Sequence, residues 1–149
     1  MIQGSATKTV RVKRIVLWGA AATAAGTMPI TLVRRSTQYT TIGSAVYTTL
    51  TPAKMDTTDA AASAVVATVG TANFTSTGTS AGNIGQGRLY FPIAASAQVT
   101  PLIWEFATRQ DKALILRGVA DFVYINFGGA AIPTSGTIDY EIQTEEDAS

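Results

Sequence analysis

Short runs rich in Thr, Val, Ile, Tyr and Phe recur along this chain, and Gly, Pro, Asn or Asp interrupts them at close intervals. No apolar stripe at helical spacing persists beyond two turns. That punctuation restricts the chain to many short strands, and because a strand buries one face only, the strands need a second layer to cover them. Nine strands are predicted, over 9–18, 28–35, 45–50, 65–69, 88–93, 101–107, 112–117, 119–127 and 136–144. The expected fold is all-β: a two-sheet β-sandwich, jelly-roll-like, with at most one short helix. The helix, if formed, is Ala60 to Ala64 in DTTDAAASAVVATVG, capped by Asp56 or Asp59. At 149 residues the chain reads as a single domain over 1–149, with a core large enough to need no staple.

Charge is distributed by position. The first 35 residues carry six basic side chains and no acid, Lys8, Arg11, Lys13, Arg14, Arg34 and Arg35. The last fifteen carry five acids and no base, Asp139, Glu141, Glu145, Glu146 and Asp147. A basic N-terminal arm or strand over about 1–18 and an acidic C-terminal tail over about 144–149 are therefore electrostatic complements. Three readings stay open: the arm pairs with the tail, lines an interface with an acidic neighbour, or touches nucleic-acid phosphates by charge alone. Lys8, Arg11, Lys13, Arg14, Arg34, Arg35, Glu145, Glu146 and Asp147 are the candidate interface residues.

The segment KTVRVKRIVLWGAAATAA imitates a secretory leader, with a charged start and an apolar middle. The apolar run is too short to span a bilayer, and a strand retained behind Met1 is expected, with no membrane partner. Val10, Val12, Arg14, Val16 and Trp18 alternate there against Arg11, Lys13, Ile15 and Leu17. In GTIDYEIQTEE, Ile138, Tyr140 and Ile142 face one way while Asp139, Glu141 and Gln143 face the other, which predicts a strand with one buried face. Leu114, Leu116, Phe122 and Tyr124 are candidate core residues, and Trp104 is the candidate for the core's centre. The stretch from Asn73 to Gly87, NFTSTGTSAGNIGQG, is nearly uncharged and glycine-rich, and predicts a surface loop.

The chain has neither Cys nor His. Thiolate metal sites, disulfides, the commonest general base and the usual partner of a catalytic serine are all missing. Asp139 and Glu141 lie two apart on one strand face, a spacing glycosidases use, yet alternation puts both on the wet face. The glycine stretch lacks the lysine and the following helix of a phosphate-binding loop. Asp56 and Asp59 lack the ordered spacing of a calcium loop, so a turn or cap is expected there. No catalytic residue, metal or cofactor is expected. Charged residues are 14% of the chain, against about 25% in soluble domains, which leaves a surface suited to being covered by neighbours. A net charge of +1 makes nucleic acid an unexpected partner.

The Trp104-centred strand, KALILRG, the run reaching Asn126 and the ending SGTIDYEIQTEE together resemble small virion proteins of tailed bacteriophages. The likeness is to jelly-roll capsid decoration or cement proteins, and PAKMDTTDAAASA extends it over about residues 50 to 146. The resemblance implies a homo-oligomer, a trimer foremost, on the outside of the icosahedral head, clamping neighbouring copies of the major capsid protein. It implies a virion location, assembly in the host cytoplasm and no enzyme activity, and no individual contact residue carries over. A tail or fibre adaptor module and a carbohydrate-binding module are the rival readings.

Overall fold

The computed structural model describes residues 1–21, 23–37, 41–42, 47–69, 74–76, 78–93, 99–108, 112–133 and 135–148. Among the described residues there are twelve strands and no helix. In chain order the first six are β1 (Ile2–Gln3), β2 (Lys8–Ala20), β3 (Gly26–Arg35), β4 (Thr41–Ile42), β5 (Tyr47–Leu50) and β6 (Val65–Val69). They continue as β7 (Phe74–Ser76), β8 (Ser80–Phe91), β9 (Leu102–Glu105), β10 (Leu114–Arg117), β11 (Phe122–Asn126) and β12 (Thr137–Ala148). One sheet has six strands in the order β5-β6-β1-β11-β3-β8. The second is narrower: β12 lies along one edge of β2, while β10 and β9 share the other edge end to end. All these ladders are antiparallel, and the two sheets pack as a β-sandwich.

The interior is built from alternate residues of both sheets. Val10, Val12, Ile15 and Leu17 of β2 meet Met28, Ile30 and Leu32 of β3 and Leu89 and Phe91 of β8, all in one buried cluster. Simple alternation fails in β2, because Gln143 pairs with Arg14 while Thr144 pairs with Val12, leaving Lys13 as an extra residue. This bulge flips the strand's phase, so that Val10 and Val12 before it and Ile15 and Leu17 after it all face inward. Arg14 and Trp18, grouped with Val10 and Val12 by strict alternation, lie on the opposite face as a result.

Three other expectations are corrected. Ser80 to Gly87 belongs to β8 and is not a loop, although Asn73 and Thr77 of that stretch lie outside the described residues. Its alternation is hidden in the sequence because two inward positions are glycines: a side chain at Gly85 would meet the Trp104 ring, and one at Gly87 would meet Leu102. Trp104 is half-buried at this close approach of β8 and β9, and Phe91 and Phe122 are instead the largest fully buried side chains. Ala60 to Ala64 forms no helix, since the amides of Ser63 and Ala64 are committed to a distant carboxylate.

Leu114 and Leu116 are buried as expected. Phe122 is likewise buried, and with the partly buried Tyr124 it packs against Met1 and Ala67 in a second, smaller cluster. There the Met1 amine donates to the Ala67 carbonyl at 2.7 Å, and burial lowers its pKa to about 6. Residues 45 and 46 of the expected strand 45–50 lie outside the described residues.

Candidate functional site

The chemistry-bearing side chains converge on the narrower sheet, where β2 and β12 run antiparallel from Lys8 opposite Ala148 to Ala20 opposite Thr137. Residues 144–148, expected as a tail, continue β12 as ordered strand, because β2 supplies a partner for the backbone over the whole length. Cross-strand neighbours share a face, so the outer row sets Arg11 beside Glu145, Arg14 beside Gln143, Val16 beside Glu141 and Trp18 beside Asp139. The inner row sets Val10 beside Glu146, Ile15 beside Ile142 and Leu17 beside Tyr140.

The basic arm thus meets the acidic end within one chain. Lys8 pairs with Glu146 at 3.1 Å, Lys13 with Glu145 at 2.5 Å, and Arg11 with Asp147. The remaining arginines find partners that their sequence neighbourhood did not indicate. Arg14 Nε stands 3.6 Å from Glu105 on β9. Arg34 holds Asp121 through Nε and Nη2 and also donates to the Ile115 carbonyl at 3.0 Å, which ties β3 to β10 across the sandwich. Arg35 donates to the Gly78 carbonyl at 3.1 Å. Five of the six N-terminal cations therefore stand within ion-pair distance of a carboxylate.

Glu146 differs from the other acids because it sits in the inner row, with a side chain only 9% exposed. Its carboxylate accepts from the Ser63 amide at 2.8 Å, the Ala64 amide at 2.7 Å and the Ser63 hydroxyl at 2.8 Å, besides facing Lys8. Removal from water pushes this carboxyl up, but the Ala64 and Ser63 amides, the Ser63 hydroxyl and Lys8 outweigh that push and hold it below its ordinary value. It acts as a clasp between the end of β12 and the chain leading into β6. Ser63 and Ala64 were missed in the sequence because amide donors carry no side-chain signal and both lie more than eighty residues from Glu146.

Asp139 and Glu141 are exposed on the outer face, opposite Trp18 and Val16 and not opposite cations. Gln143 Nε2 donates to Glu141 at 2.6 Å. Neither carboxylate is in an enclosed cleft, so the desolvation that a general acid uses is missing. Asp56 is engaged in a local turn, accepting from the Thr58 amide at 2.8 Å and the Thr58 hydroxyl at 2.7 Å; the amide bond foremost lowers its pKa. Among the described residues no group of three or more His, Cys, Asp or Glu side chains is placed to hold a metal ion. No helix of the described residues is long and apolar enough to cross a membrane.

The other feature of this sheet is an apolar groove beside β12. Leu50 and Val66 share the inner face of the wide sheet, and they line a cavity of about 130 Å³ with Pro52, Tyr140, Ile142 and Thr144. Burial raises the pKa of the Tyr140 phenol there. Comparison with protein-family models, with curated proteins and with solved structures found no match to this chain.

Proposed function

We propose that this chain is a non-enzymatic structural protein of a phage virion, a decoration or cement protein that binds the outside of the capsid as an oligomer and clamps neighbouring major capsid subunits. The resemblance of its last third to such proteins suggests the class. The observation that carries the reading is the exterior: charge is sparse in the chain, and ion pairing within the chain neutralises much of what there is. Large apolar side chains stand out of this neutral surface, among them Tyr90, Ile103, Val119 and Ile132, each more than 40% exposed. Such a surface gains by being covered, and many weak neutral contacts made by an oligomer on a repeating lattice add through avidity.

Lys8, Arg11 and Lys13 hold β2 to β12 inside the subunit, which is the first of the three readings of the basic arm. Contact with the shell would then fall to neutral surface. Shells prepared with and without the protein, challenged by heat or osmotic shock, test the proposal. The decorated shells are expected to resist better and to carry hundreds of copies per particle. Equal fragility would overturn the reading, and a handful of copies would move the protein to the tail.

A further inference from the structure

The two sheets differ in width, and among the described residues no strand lies beyond β12 in the narrower one. The wide sheet has six strands, whereas the narrow one is three strands across. Leu50, on the inner face beside Val66, is 45% exposed, and Ile138, Tyr140 and Ile142 on the inner row of β12 are only partly buried. Among the described residues nothing pairs with the second edge of β12. One more strand beside residues 137–144 would cover that groove and use the free backbone groups of the edge.

We infer that this edge accepts an extended segment of a different protein, with apolar residues alternating with Lys or Arg. The apolar residues would enter the groove over Leu50, Tyr140 and Ile142. The cations would fall on the outer face, where Asp139 and Glu141 have no cation opposite them on β2. The inner edge of β12 already shows that preference, since the strand paired to it, β2, carries the Lys8, Arg11 and Lys13 partners of its acids. A second copy of β12 is a poor occupant. Two such strands laid antiparallel would set one outer row of Asp139, Glu141, Glu145 and Asp147 against another, and like charges across strands repel. This inference does not depend on the virion reading, because it concerns the chemistry of the partner segment alone.

The test uses the full chain and two blocked nonapeptides, one alternating Lys with Val and one alternating Glu with Val. Binding is read by amide hydrogen exchange within residues 137–144. The Lys peptide is expected to slow exchange there and the Glu peptide to leave it unchanged. The double variant Asp139→Asn, Glu141→Gln should weaken Lys-peptide binding by about three- to tenfold, as for the loss of two exposed ion pairs. Leu50→Lys, which places a charge on an already exposed ledge, should abolish binding with the fold intact. Equal protection by both peptides, no protection by the Lys peptide, or protection arising from self-association of the unliganded chain would each overturn the inference.

Discussion

Both halves of β12 carry two acids on the outer row, Asp139 and Glu141 before Gln143 and Glu145 and Asp147 after it, yet the later half is closed and the earlier one open. In the closed half Glu145 and Asp147 lie against Lys13 and Arg11, and Glu146 clasps the amides of Ser63 and Ala64. In the open half Asp139 and Glu141 face Trp18 and Val16, and the inner residues border a groove. A carboxylate's role on a strand is thus set by the cations and amide donors that the fold brings within its reach. The same residue type is structural at one end and available at the other.

The comparison breaks most readily at Glu146. Glu146→Ala leaves two amides and Lys8 without their acceptor, and urea unfolding should show a loss of about 2–4 kcal/mol with an unchanged m-value. A loss below that of Asp139→Ala would erase the distinction between the halves.

Acid sharpens the same contrast. The folded pKa of Glu146 lies below its ordinary value, so its contribution is present above the ordinary carboxylate pKa and disappears as pH falls through the folded one. The stability gap between the parent chain and Glu146→Gln should therefore narrow in that acid range. A separate window belongs to Met1, whose amine is lowered from 8.0 to about 6. In a preparation with that amine free, stability is full above pH 8 and falls by up to about 3 kcal/mol as pH drops through 6, because the unfolded chain takes up the proton first. Denaturation curves across pH 3 to 9 separate the two windows, and a flat profile between pH 8 and 6 would contradict the burial of the amine.

Smaller effects are expected at the rim. Double-mutant cycles on Lys13 with Glu145 and on Arg11 with Asp147 should give couplings of about 0.2–1 kcal/mol that shrink in high salt. The smallest effect is at the open half, where Asp139→Asn with Glu141→Gln should alter stability by no more than about 0.5 kcal/mol. A larger loss would mean that these acids support the fold and are not free for a partner.

Most of the strands were legible, because the β-branched runs and their breakers are local signals. The inward rows of β10 and of the first part of β12 followed from alternation alone. The bulge at Lys13 was not legible, since an extra residue in a ladder shows only against its partner strand. β8 reads as a loop in the sequence because its inward positions are glycines, placed to admit Trp104 and Leu102 from the facing sheet. The candidate site was half legible: the complementarity of the two ends was visible, but Asp121, Glu105 and the amides at Ser63 and Ala64 lie far along the chain from their partners.

By itself the sequence determined an all-β chain without histidine or thiol chemistry, with opposite charges at its two ends, because residue type and local periodicity are properties of the chain. Only the tertiary structure decided that those charges meet side by side on β2 and β12, that one largely covered carboxylate becomes a clasp, and that among the described residues no strand covers the apolar edge of β12. Which strand lies next to which is determined by how the whole core packs, and no short stretch of residues carries that information.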